Sequence, residues 1–179
     1  MEKAFKYRIY PNKQQEMLIN KSIGCARFVY NHFLNIAKED KYQSYTSYSK
    51  MLTTLKKEKV FLKEVDKFAL QNSLKALDDS FKRYFKKQCK KPTFKNKKRA
   101  KRSYKTSFTN NNIEVGANFI KLPKLKKVRA RIHRKFEGKI LNATISKTPT
   151  GKYYVSVCVK TDKVLNIPKN NNVIGIDLG

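Results

Sequence analysis

Thirteen Lys and Arg side chains stand between positions 82 and 105, and no carboxylate interrupts the chain from Asp79 to Glu114. They are Lys82, Arg83, Lys86, Lys87, Lys90, Lys91, Lys95, Lys97, Lys98, Arg99, Lys101, Arg102 and Lys105. Solvated faces normally mix signs, whereas a block of one sign repels itself and favours a polyanionic partner. Phosphate binding is the chemistry such a run can do, and self-repulsion predicts a mobile arm. Further on, Arg129, Arg131 and His133 alternate with Val128, Ala130 and Ile132, and Arg134 follows. On a strand this puts a cation on one face at every second residue: a plain water-facing side or a ladder of phosphate ligands.

The last stretch, Val173-Ile174-Gly175-Ile176-Asp177-Leu178-Gly179, carries a different chemistry. Its β-branched residues read as a buried strand. An acid inside such a strand is costly without a partner or a metal ion. Asp177 is either a strand-end residue of no special role or one ligand of a metal site whose other ligands are missing.

The whole composition points the same way as the basic block. Lys and Arg number 42 against 13 Asp and Glu, giving +29 over 179 residues and a pI near 10.1. A field of that size suits a nucleic-acid surface and argues against a small-molecule substrate. Nothing approaches the length of a membrane-spanning helix, and no amino-terminal signal pattern is present. Cys25, Cys89 and Cys158 are far apart and odd in number, without a C-x-x-C pair, so they indicate neither a disulfide framework nor zinc. His32 and His133 each stand alone.

These residues need a frame to position them. Residues 3–10 alternate, with Phe5, Tyr7 and Ile9 on one face and Lys6, Arg8 and Tyr10 on the other, which predicts a half-buried strand. Pro11 ends it, and Asn12 with Gln15 forms a capping-box signature for a helix reaching about Lys38. Gly24 in its middle predicts a kink or a close helix contact. Ser47 or Ser49 caps a second helix with Tyr48, Met51, Leu52 and Leu55 on its apolar side. Asp66 caps a third, whose seam of Leu70, Leu74, Leu77, Phe81 and Tyr84 should pack on the first helix until Pro92 stops it. From Tyr104 the period becomes two, through 104–108, 113–115, 119–122, 128–132 and 152–160. The segment 140–146 reads as a strand apolar on both faces. Several short strands at this spacing imply an antiparallel sheet or a small barrel.

Several dispersed motifs resemble the TnpB (OrfB) family of insertion-sequence proteins. They are Lys3-Ala4-Phe5-Lys6-Tyr7-Arg8-Ile9-Tyr10-Pro11-Asn12, Gly24-Cys25-Ala26-Arg27-Phe28-Val29-Tyr30-Asn31, Pro92-Thr93-Phe94-Lys95 and Gly151-Lys152-Tyr153-Tyr154-Val155. Residues 173–179 resemble the family's first RuvC-like motif, with Asp177 in the place of its first catalytic carboxylate. The resemblance implies an α+β fold, a helical lobe inserted into a small antiparallel oligonucleotide-binding-like β-barrel. The expected division is a wedge-like barrel of 1–11 and 104–162, and a recognition lobe with a basic arm, or helix-turn-helix region, at 12–103. A linker at 163–172 and the first strand of a truncated RNase H/RuvC-like domain at 173–179 follow.

The resemblance also implies a function: RNA-guided DNA cleavage encoded by a transposon, with structured guide RNA and DNA as partners, in the cytoplasm of a bacterium or archaeon. Magnesium at three carboxylates and a zinc-binding insertion are expected of the full-length family, and no cofactor of these 179 residues. Two-metal hydrolysis needs several carboxylates around the scissile phosphate, and hard divalent cations need several oxygen ligands. Asp177 alone cannot assemble that site, so binding without cleavage is expected of this stretch. The alternative is a stand-alone basic DNA- or RNA-binding regulator without nuclease activity.

Overall fold

In a computed structural model of the chain, which describes residues 1–161, the first strand is also the middle of the sheet. Strand β1 (Glu2–Tyr10) is flanked by β7 (Tyr153–Lys160) and β5 (Lys126–Arg131), both antiparallel to it. With β2 (Ser103–Ser107), β3 (Glu114–Val115), β4 (Phe119–Leu122) and β6 (Lys139–Lys147) they give a seven-stranded sheet in the order β2-β6-β7-β1-β5-β4-β3. Between β1 and β2 the chain forms α1 (Lys13–Glu39), α2 (Tyr45–Glu58), a 3-10 turn at Val60–Lys63 and α3 (Lys67–Phe85).

The sheet is open, which corrects the expectation of a closed barrel. Its ends, β2 and β3, are not paired with each other, and β3 is only two residues long. Strand alternation tells which side chains face inward; closure depends on stagger and tilt, which alternation does not encode. The β2 edge is covered by a helix instead, a common way to blunt a free edge. Asn72 of α3 donates through Nδ2 to the Lys105 carbonyl and to Ser107 Oγ, each at 3.1 Å.

Two apolar clusters hold the elements together. In the first, Tyr7, Ile9, Val155, Val157 and Val159 of the sheet meet Ile19, Ile23 and Ala26 of α1 and Ala69 of α3. In the second, Phe33 and Leu34 of α1 pack with Tyr48 of α2 and with Leu70, Leu74, Leu77 and Phe81 of α3. Full burial of each large side chain contributes roughly 1.5–3 kcal/mol. The α3 seam therefore packs on α1 as its spacing predicts, with Tyr84 half-buried at its end.

The helix ends follow local chemistry, with three departures from expectation. Asn12 and Gln15 close the capping box in both directions, at 2.9 and 3.1 Å, and Asp66 caps α3 by accepting the Phe68 amide at 3.0 Å. Helix α2 starts earlier than expected, because Ser44 rather than Ser47 or Ser49 is its cap. Gly24 marks no close helix contact: α1 runs unbroken through it, and a Cβ there would meet nothing within 4 Å. Pro92 does not stop α3. The helix ends seven residues earlier, where Lys87 adopts φ 58° while its amide bonds the Tyr84 carbonyl and that of Gln88 the Arg83 carbonyl. Those two bonds are the Schellman pattern, usually completed by glycine at the left-handed position. Strand β6 is also less apolar than expected, with Ala143 and Ile145 buried while Thr144 and Ser146 alternate on the opposite face.

Candidate nucleic-acid interface

Residues directly opposite one another in an antiparallel pair share a face, so the register defines the outer face of the sheet. Along β1 that face carries Lys6, Arg8 and Tyr10. Arg8 lies between Tyr154 of β7 and Arg131 of β5, and Tyr10 lies opposite Arg129. Phe119 of β4 stands opposite Arg129. On the other side the face continues through Thr144 and Ser146 of β6 to Lys105 and Ser103 of β2. Cations and rings interleave across it. Lys6 Nζ is 4.7 Å from the Tyr154 ring centre, and Lys127 Nζ is 4.6 Å from that of Phe119. Arg8 and Arg129 bring their guanidinium carbons to 5.2 and 5.8 Å from the Tyr10 ring, which is 43% exposed.

Two details set this face apart from ordinary solvated surface. First, like charges stand directly opposite each other at Arg8–Arg131 and Lys121–Lys127, an arrangement that costs folding energy. The carboxylates on this face, Glu2 and Glu114, lie at its ends, the latter 4.0 Å from Lys121. Second, Phe119 is fitted to its place. Its ring lies where a Cβ on Gly116 would stand, with ring carbons 2.3–2.8 Å from that position.

The basic block is only partly free. Lys82 is paired with the buried Asp78 carboxylate at 2.6 Å, and that bond raises the pKa of the lysine. Arg83, Lys86, Lys87, Lys90 and Lys91 are exposed around the end of α3, and Lys97, Lys98, Arg99, Lys101 and Arg102 are exposed along the arm. Lys95 is different. Its amide donates to Asn31 Oδ1 at 2.8 Å, and its carbonyl accepts from Asn31 Nδ2 at 3.0 Å. Its ammonium sits 3.7 Å from the Tyr30 ring centre, and burial pushes its pKa down. Lys38 of α1 likewise caps the Phe94 ring at 4.1 Å. The middle of the arm is thus clasped to α1 where self-repulsion predicts a mobile arm, and Lys95 serves as its anchor. Local charge predicts repulsion; Asn31, sixty-four positions away, supplies the restraint.

The Arg129 row is shorter than the sequence suggests, because β5 ends at Arg131. His133 lies beyond it, its ring 5.5 Å from that of Tyr7. Arg134 is exposed, and its carbonyl accepts the Tyr7 hydroxyl at 2.8 Å. Burial pushes the Tyr7 phenol up, so it remains a donor. Asp177 lies outside the described residues. Within them no three of His, Cys, Asp and Glu come together as a metal site, so no magnesium or zinc ligand set can be assigned there. Lys6, Arg8, Lys127, Tyr10, Tyr154 and Phe119 were not among the residues singled out by charge clustering. The alternation of β1 displays three of them, but the cross-strand neighbours that complete the face are set by the register.

An open antiparallel sheet with helices inserted after its first strand, and with cations laid over rings on its exposed face, defines a basic α+β scaffold suited to a polyanion. Comparison with known proteins then gives a domain match and two relatives. Residues 1–45 match the helix-turn-helix domain of the OrfB type associated with insertion sequences. Over its whole length the chain is similar to proteins of the TnpB (OrfB) type. It is 30% identical over 189 aligned positions, covering all of this chain and 46% of the relative, to a candidate RNA-guided DNA endonuclease of Streptomyces pristinaespiralis. It is also 30% identical, over 98% of its own length and 45% of the relative, to the candidate RNA-guided DNA endonuclease InsQ of Escherichia coli K12. The chain spans about half the length of these curated relatives. Residues 1–45 form one strand and one long helix, and the next helix begins at Tyr45. No helix among the described residues is long and apolar enough to cross a membrane.

Proposed function

We propose that this chain is the nucleic-acid-holding part of a TnpB-type RNA-guided DNA endonuclease, binding structured RNA and DNA through the outer sheet face and the basic arm. The observation that carries the reading is the Arg8–Arg131 pair, flanked by Tyr10 and Tyr154 with both carboxylates of the face at its ends. Repulsion there is relieved when phosphates intervene, and the rings offer stacking that accepts any base. In this reading the open sheet corresponds to the family's wedge barrel, and the helices at 12–103 to its recognition lobe.

Contact with six to eight phosphates gives a log-affinity against log-salt slope of roughly −5 to −7. A titration with structured RNA that stays flat between low and physiological salt would overturn the proposal. Cleavage is a separate matter and no step of it is assigned to residues 1–161. Plasmid nicking by the purified chain with magnesium, abolished in Asp177→Ala, would add it.

A further inference from the structure

Where α1, α3, the arm and β2 meet, a cleft of about 450 Å³ is open at the edge of the sheet. That size falls within the roughly 300–1,000 Å³ of small-ligand sites. Its apolar walls are Ile23 and Ala26 of α1, Ala69 and Ala76 of α3, Ala100 of the arm and Tyr104 of β2. Its remaining lining includes Arg27, Lys95, Lys101 and Lys105, with no carboxylate among the described residues. Ser103 and Thr144 add hydroxyls, and Asn72 adds an amide.

The cleft is continuous with the outer face. Lys105 and Thr144 stand opposite each other on that face and also line the cleft. A nucleic-acid strand lying on the sheet therefore reaches the opening across the polar row of Tyr154, Ser156, Thr144 and Ser146. The arm forms one wall, and its place is fixed by the Asn31 clasp on Lys95.

We infer that this cleft accepts one splayed-out base of a single-stranded RNA, with Arg27, Lys101 and Lys105 on the flanking phosphates. Flat apolar walls suit the base, and unopposed cations suit the backbone. The Ser103 and Thr144 hydroxyls match a ribose 2′-hydroxyl, which both donates and accepts. The inference rests on the proposed nucleic-acid function and adds to it a particular subsite.

The test uses the full chain, a single-stranded RNA carrying 4-thiouridine, and two variants that fill the cleft from opposite walls, Ala76→Leu and Ala100→Leu. Ala76 is solvent-exposed on α3, and leucine is a good helix former, so the first variant keeps its fold. Circular dichroism checks both. Photocrosslinks are expected within 69–76 and 95–105, and each variant should lose them and bind about tenfold more weakly with an unchanged salt slope. Unchanged affinity in both folded variants, or crosslinks confined to the Tyr10 and Tyr154 region, would overturn the cleft while leaving the salt-dependent function intact. Equal binding of DNA of the same sequence would overturn the assignment to RNA. Absence of salt-dependent binding by the native chain would remove both proposals together.

Discussion

The arm and the outer sheet face are both basic, yet they spend their charges differently. At the root of the arm Lys82 is bound to Asp78, and at its middle Lys95 lies over Tyr30 with its backbone held by Asn31. On the sheet Arg8 faces Arg131 on one side and Tyr154 on the other, with no acid in register with it among the described residues. A count of positive residues treats the two regions alike. The contacts separate charges that build the fold from charges the fold holds out at some cost. Mutations in the arm's anchors should therefore act on stability, and mutations on the sheet face on binding.

The largest effect is expected at Asp78. Its carboxylate, 3% exposed, accepts from the Tyr42 hydroxyl, from the Tyr45 amide at 3.1 Å and from Lys82. Asp78→Ala should lower stability by about 3 kcal/mol, since it removes a buried charged acceptor shared by the Tyr42 hydroxyl, the Tyr45 amide and Lys82. Chemical denaturation measures this, and the salt slope for RNA should not become shallower. Burial alone would raise the carboxyl, but the bonds from Lys82 and Tyr42, the lysine charge and the Tyr45 amide outweigh it and hold the pKa below the ordinary range. A depressed carboxylate stabilises the fold above its unfolded value of about 4, and this is lost as pH falls through the folded value. Melting temperature should fall more steeply below about pH 4 in the native chain than in Asp78→Asn.

A smaller loss is expected at Asn31. Asn31→Ala removes both bonds to the Lys95 backbone and should cost about 1–2 kcal/mol, with faster proteolytic cutting around 96–102. If cutting were no faster, the arm would be held by the ring contacts alone. Two substitutions should stabilise. Lys87→Gly relieves a left-handed residue at the α3 terminus and should add about 1 kcal/mol even as it removes a cation from the arm. Gly24→Ala should add about 0.5–1 kcal/mol, because α1 has open space there. A destabilised Gly24→Ala in thermal melts would mean that α1 requires the glycine for a contact this arrangement lacks.

Much of the fold was legible because its signals are local. Asn12 and Gln15 sit three apart and close the capping box, and the seam from Leu70 to Phe81 is buried where its spacing puts it. The strands followed from alternation, as Tyr153, Val155, Val157 and Val159 illustrate. What escaped depends on distant partners. Gln15 also donates to the carbonyls of Leu125 and Lys127, tying the start of α1 to β5, and nothing near position 15 announces that. Pro92 outweighed Lys87 as a helix terminator on paper because a left-handed lysine has no compositional mark. The candidate site was half legible. Charge runs marked the arm, and β1 showed its Lys6, Arg8 and Tyr10 side. Only the register places Tyr154, Arg131, Arg129 and Phe119 beside them.

The proposed binding role has the outer face give up folding stability to hold cations for phosphates. Its most direct test is a salt titration of structured-RNA binding with Arg129→Gln/Arg131→Gln, alongside a thermal melt. Both arginines are exposed, so the fold should survive, and removing Arg131 relieves its repulsion with Arg8. The slope should become shallower by about 2, with the melting temperature unchanged or higher. An unchanged slope, or a clear loss of stability with binding intact, would contradict it and return these arginines to the ordinary work of holding a sheet in water.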